Sequence, residues 1–378
     1  MTMIDMDATP RWVDTKTQLA DLCDVWRHQR AVALDTEFMR SRTFYPQPAL
    51  VQIGDGKHCY LIDNLAIDDL QPLRDLLLHT AVTKIMHSCS EDLETLERLL
   101  GVIPEPIFDT QIAAAMSGMH ASLGYAAAVR SLLNVELPKS ETRSDWLQRP
   151  LSDAQKKYAA LDVAWLPALY VALSKRLRER GRLEWLQEDC AALVAAARNP
   201  QPPELYYQKV KGAWRLRGKQ LAALQDLCAW REREARALDM PRNHLLKESL
   251  CMALAQQMPR HKGALSQLGL EGRVLRQHGD TLLQITSRSI QRQETPPCLP
   301  QPLNRQQGEI FKQLRRQLAA IAARETLPSE ILIRKKELEA LVQASSPELR
   351  GRLRGWRAEI IGCPLLKLLR QLREEEIQ

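Results

Sequence analysis

Between residues 31 and 110 the sequence alternates two patterns, and that alternation limits the possible folds more than any other feature. AVALDTEF, ALVQIGDG, HCYLID and TKIMHS are short apolar runs with strand character, while LQPLRDLLLH and EDLETLERLL have helical spacing. Strands interleaved with helices predict a sheet covered by helices, an α/β architecture. From about residue 120 the first segment turns helical. Proline-rich stretches, ARNPQPPEL near residue 200 and QETPPCLPQPLN near residue 300, separate two further segments that read as all-helical. Leu221, Leu224, Leu227, Cys228 and Leu238 fit one amphipathic face, and Phe311, Leu314, Leu318 and Ile321 fit another. The two segments also match at an offset of 87 residues, pairing Leu227 with Leu314, Pro241 with Pro328, Leu245 with Leu332 and Leu254 with Leu341. This predicts a duplicated small helical domain.

The first apolar run ends on two acids, Asp35 and Glu37. Alternate residues of a strand share a face, so these two project together while Thr36 points the other way. Two like charges near a core repel unless something positive lies between them. A divalent cation would resolve the conflict, and so would a solvated strand end; the triplet alone is compatible with both. A second Asp-x-Glu, Asp92 and Glu94, lies in a helical pattern, where residues two apart do not face each other. Asp92 falls in the first turn of that helix, a position that also suits a capping carboxylate. Further on, Ser152 and Gln155 are spaced as a capping box, which predicts a helix from Asp153. On that helix Tyr158 and Asp162 stand one turn apart on one face. Asp162 sits among Leu161, Val163, Trp165 and Leu166, and a carboxylate in such company is paired or binds a metal.

Other chemistries find little support. The chain has no GxxxxGK[ST] loop, no HExxH and no GxSxG. Its 8 cysteines include no CxxC pair, which disfavours a zinc site and suits reduced thiols in a cytoplasm. His87 and Cys89 are close in sequence, but His87 reads as a core or supporting histidine rather than as the partner of a nucleophile. The acidic start MTMIDMDATPRWVD lacks the apolar stretch of a secretory signal, and no apolar run is long enough to span a membrane, so the protein is expected to be soluble. Charge is divided unevenly. Residues 1–200 hold 22 Lys and Arg against 27 Asp and Glu, whereas residues 201–378 hold 31 against 19. A half with net −5 joined to a half with net +12 points to a nucleic-acid partner with the work divided, although a basic surface also serves solubility.

LDTEF, HSCSEDLE and YAALDV together resemble the three motifs of the DEDD 3′–5′ exonucleases, in the subclass with tyrosine in the third motif. RTFYPQPALVQIGDG, FDTQIAAA and KSETRSDWLQRPLSDAQKKYAALDV bring the resemblance closer, to the ribonuclease D family, and the two helical repeats resemble the HRDC modules that follow its catalytic domain. The second motif lacks the Asn and aromatic residue that precede its Asp in proofreading exonucleases, as is usual for ribonuclease D relatives. The resemblance implies a ribonuclease H-like α/β catalytic domain over residues 1–200, followed by two small all-α helical-bundle domains over 205–290 and 301–378. It implies catalysis by Asp35, Glu37, Asp92, Tyr158 and Asp162, with the four acids holding two divalent cations, Mg²⁺ or Mn²⁺. Asp35 would bridge both, Glu37 and Asp162 would complete the first site, and Asp92 would serve the second. Tyr158, whose ordinary pKa of about 10 makes it a poor base, would orient the attacking water. The implied reaction releases 5′-mononucleotides from RNA 3′ ends, on tRNA precursors and small structured RNAs. A monomer acting in the cytoplasm and away from membranes is expected. Phe38 is a candidate for stacking on the terminal base, and Lys139 and Arg143 are candidates for phosphate contacts. A catalytically silent RNA-binding scaffold and a DNA-directed exonuclease are the alternatives.

Overall fold

The computed structural model describes residues 10–138 and 144–375. Six strands form one mixed sheet: β1 (Arg11–Val13), β2 (Ala31–Met39), β3 (Gln47–Gly54), β4 (Cys59–Ile62), β5 (Thr83–Met86) and β6 (Ile107–Asp109). Their order across the sheet is β1-β4-β3-β2-β5-β6. The central β2, β3 and β4 are antiparallel, while β1 runs parallel to β4 and β5 runs parallel to both β2 and β6. Eight helices belong to the same region: α1 (Lys16–Trp26), α2 (Gln71–Leu78), α3 (Ser90–Leu100), α4 (Thr110–Met116), α5 (Tyr125–Leu133), α6 (Asp153–Ala164), α7 (Leu166–Glu179) and α8 (Leu183–Arg198). The four expected strands and both expected helices are present. The sequence patterns did not reveal β1 and β6, which at three residues each are too short to show any periodicity.

Local chemistry sets the ends of the elements that matter here. The expected capping box starts α6: the Ser152 side chain accepts from Gln155 N, and the Gln155 side chain accepts from Ser152 N. Asp109, at the end of β6, caps α4 by accepting from Gln111 N and Ile112 N. Gly101 stops α3 in a left-handed conformation at φ 68°. Gly54 permits a close approach instead. A Cβ there would come within 2.8 Å of the Val163 carbonyl oxygen, so its absence lets α6 lie close on β3.

The helical segments follow the 87-residue offset closely. α9 (Gly218–Ala237), α10 (Arg242–Leu245) and α11 (Glu248–Gln257) begin at residues whose counterparts start α14 (Arg305–Glu325), α15 (Ser329–Leu332) and α16 (Lys335–Gln343). Between the two sets come α12 (Lys262–Gln267) and α13 (Gly272–Gln291), and α17 (Cys363–Glu375) closes the described chain. One residue departs from its expected face: α9 ends at Ala237, so Leu238 falls past the last turn and is 48% exposed.

Contacts divide the chain into two compact units. The first joins residues 1–39 and 46–199 with residues 303–378; the second joins residues 40–45 with 200–302. In the first unit, Ile310, Leu314, Leu318, Ile321 and Leu332 share one continuous core with the sheet and its helices. Trp356 stacks on Trp185 of α8, with ring centroids 4.5 Å apart and planes 6° from parallel. Arg357 donates to both carboxylate oxygens of Asp189 at 2.6 Å each, and its Nε donates to the Ile331 carbonyl at 2.9 Å. In the second unit, Asp239 Oδ1 accepts from the backbone N–H groups of Phe44 and Tyr45 at 3.0 and 2.9 Å. No helix among the described residues is long and apolar enough to cross a membrane.

Candidate active site

β2 carries Asp35 and Glu37 past the end of its pairing with β5, which stops at Ala33. On the other side β2 stays paired with β3, where Asp35 lies opposite Gln52 and Glu37 opposite Leu50. α6 covers this face of the sheet, with Ala159 in one apolar cluster with Leu50 and Leu61. Asp162, one turn beyond Tyr158, thereby comes to the acids of β2. One carboxylate oxygen from each of Asp35, Glu37 and Asp162 lies within 4.8 Å of the others, so the structure brings together three of the five expected residues as a possible cation site. Tyr158 joins them, since its hydroxyl hydrogen-bonds Asp162.

Asp92 is placed differently. It occupies the first turn of α3, whose N-cap residue Cys89 makes no side-chain cap. Its Oδ1 accepts from Thr36 Oγ1 at 2.6 Å. Asp92 lies outside the close set of three, yet its charge acts on Asp35 and Glu37. Phe38 is half-buried beside a register shift between Glu37 and Phe38. Lys139 and Arg143 lie outside the described residues.

The electrostatics are those of crowded, uncompensated acids. Burial first, and then the charges of Asp92, Asp162 and Glu37, hold Asp35 well above the ordinary carboxylate range. Burial and the charges of Asp162 and Asp92 push Glu37 up to about 9. Asp162 rises to about 7, mainly through burial, against the opposing Tyr158 hydrogen bond. Asp92 rises to about 6 by burial, against the opposing Thr36 hydroxyl. Burial also raises Tyr158, so its hydroxyl stays protonated and serves as a donor. A set of oxygen-only donors whose mutual repulsion is relieved by positive charge fits a hard divalent cation better than a thiophilic metal.

The supporting residues were partly hidden in the sequence. Thr36 sits between the two acids of β2, and pointing away from them is what brings its hydroxyl to Asp92. Asp109 Oδ2 accepts from Cys89 N at 3.0 Å and so ties the turn before α3 to the end of β6. His87 is a structural histidine, with Nδ1 2.8 Å from Thr110 Oγ1 and Nε2 3.0 Å from the Leu123 carbonyl. Cys89 is fully buried, and burial with the nearby Asp109 raises its thiol further, so it offers no nucleophile. A cavity of about 690 Å³ reaches Tyr158 and is also lined by Trp146, Gln155, Lys157 and Leu161.

The 3′–5′ exonuclease family matches residues 10–178, and the HRDC domain family matches residues 220–286. Ribonuclease D of Pseudomonas paraeruginosa is 45% identical over 370 residues, covering 95% of this chain and 97% of that protein. Ribonuclease D of Escherichia coli is 36% identical over 374 residues, covering 95% and 98%. The crystal structure of Escherichia coli RNase D, described as an exoribonuclease involved in structured RNA processing, superposes with a TM-score of 0.85 over 96% of this chain and 99% of that one. The chain belongs to the ribonuclease D family and is a 3′–5′ exoribonuclease.

Proposed function

We propose that Asp35, Glu37, Asp92 and Asp162 hold two divalent cations, Mg²⁺ or Mn²⁺, and that Tyr158 orients the water that cleaves the last phosphodiester of an RNA 3′ end. The observation that carries this reading is the convergence of Asp35, Glu37 and Asp162 within 4.8 Å, with the Tyr158 hydroxyl on Asp162. When bound, such cations lower the pKa of a water and stabilise charge on the departing oxygen. The protein's own part is placement. Tyr158, protonated and fixed to Asp162, presents its hydroxyl toward the attacking water. The water's oxygen bonds to phosphorus as the bond to the upstream 3′-oxygen breaks. The products are a 5′-mononucleotide and an RNA shortened by one residue with a free 3′-hydroxyl.

On this reading the chain falls in the tyrosine subclass of the family, with residues 1–200 as the catalytic domain and 205–290 as a first HRDC domain. Residues 301–378 form a second HRDC-like module, supported by the shared helix starts of α9 with α14, α10 with α15, and α11 with α16. tRNA precursors and small structured RNAs are the substrates that fit the relatives' RNA processing and the +12 charge of residues 201–378. Phe38 is proposed to stack on the terminal base, and Lys139 and Arg143 to meet phosphates. A cytoplasmic monomer completes the reading.

Degradation of matched RNA and DNA oligonucleotides carrying free or blocked 3′ ends, with and without EDTA, tests the reading. Mononucleotide release from free-ended RNA that EDTA abolishes is the expected result. Release that persists in EDTA, or internal cleavage of blocked RNA, would overturn it.

A further inference from the structure

In the middle of β3, Gln52 stands in register with Asp35 on one side and Leu61 on the other. Directly opposed residues of antiparallel strands project from the same face, with Cβ atoms about 4.5–5.5 Å apart. Gln52 therefore shares its face with Asp35, beneath α6, whose Ala159 packs with Leu61 and whose Val163 carbonyl closes over Gly54. The residue is 0% exposed, and neither its Nε2 nor its Oε1 has a hydrogen-bond partner among the described residues. Buried polar groups are almost always paired, and an orphaned amide is destabilising. The rest of the run, Leu50, Val51 and Ile53, is aliphatic, so a leucine would suit the site without that cost.

An unpaired amide in such a place is matched to a partner that the protein alone does not supply in the right form. A carboxylate that coordinates a cation uses only some of its lone pairs, and the remainder are ordinarily fixed by hydrogen bonds from neighbouring donors. A neutral amide can give such a bond without competing with the cation, as a lysine or arginine would. We propose that Gln52 is a positioning residue for the reaction: its amide N–H donates to the Asp35 carboxylate when Asp35 holds a divalent cation. The inference rests on the assignment of Asp35 as a cation ligand.

The experiment measures Mn²⁺ binding by calorimetry, and unfolding in EDTA, for the full chain and its Gln52→Leu and Gln52→Met variants. Mn²⁺ affinity should fall by about 10- to 100-fold. The unfolding midpoint in EDTA should hold or rise, because an orphaned amide has been removed. If Gln52→Leu does not fold, Gln52→Met, which is unbranched at Cβ and Cγ like glutamine, supplies the measurement. Parental Mn²⁺ affinity in a folded variant overturns the inference, and so does a loss of affinity matched by a lower EDTA midpoint in both. Asp35→Asn separates the two levels. If it too binds Mn²⁺ like the parent, the ligand assignment falls and the inference with it. If it loses Mn²⁺ while the Gln52 variants keep it, only the inference falls.

Discussion

Thr36 Oγ1 donates to Asp92 Oδ1 at 2.6 Å, binding the middle residue of the acidic triplet to an acid 56 positions away. The bond fixes the Asp92 carboxylate at the first turn of α3 and opposes the rise in its pKa caused by burial. Thr36→Val keeps the shape and removes the donor. It should raise the Asp92 pKa beyond about 6 and cost about 1–3 kcal/mol of stability in EDTA, read by urea unfolding. Thr36→Ser should restore most of both, and a Thr36→Val protein as stable as the parent would show that the bond contributes nothing.

The pH dependence follows from the raised acids. In the folded, cation-free chain Asp92, Asp162 and Glu37 titrate at about 6, about 7 and about 9, each above the ordinary 3.8 of an aspartate or 4.5 of a glutamate. Such groups contribute stability that is full below the unfolded values and lost as pH rises through the folded ones. Their contribution in EDTA should therefore begin to fall above the unfolded values of 3.8 and 4.5 and be fully lost by about pH 9. Cation binding needs the ionised forms, so the gain in melting temperature from Mn²⁺ should be small at pH 5 and grow across that window. Scanning calorimetry at matched pH values reads both, and a gain that shrinks with pH would contradict the assignment.

Asp35→Asn removes charge from the centre of the cluster at nearly constant shape. Nucleotide release should drop by about 10³-fold or more, some 4 kcal/mol of transition-state stabilisation, with the fold retained by circular dichroism. Tyr158→Phe should slow release by about 10²-fold or more and leave Mn²⁺ binding measurable, since all the carboxylate ligands remain. Collapse of cation affinity in Tyr158→Phe would give the hydroxyl another role.

The buried pair of Arg357 and Asp189 anchors residues 303–378 within the first unit. Arg357 is 1% exposed, and removing it leaves the Asp189 carboxylate without its two shortest donors. Arg357→Ala should cost about 3–5 kcal/mol in urea unfolding. A chain ending near residue 200 keeps all five proposed catalytic residues but bares the face of α8 that Trp356 covers. It should be less stable than the full chain and prone to aggregate, measured by melting temperature and light scattering. A soluble fragment melting like the parent would make the shared core dispensable.

The sequence by itself determined whatever depends on neighbours a few residues apart. The alternation over residues 31–110 produced four of the six strands; the Ser152 and Gln155 spacing set the start of α6; the 87-residue offset returned as matching helix starts. The five proposed catalytic residues were legible because strand and helix periods decide which side chains share a face, and because three short motifs resembled a known family. Tertiary structure decided what depends on partners far along the chain. It parted Asp92 from the close triad and gave it to Thr36, left Leu238 past the end of its helix, and drew residues 303–378 into the core of the first unit. It also set Gln52 opposite Asp35, burying an amide that the sequence shows only as one polar letter in an apolar run. The physical reason is range: periodicity and capping act over one or two turns, whereas Thr36 meets Asp92 across 56 residues and Arg357 meets Asp189 across 168, through contacts that exist only once the sheet and helices have packed.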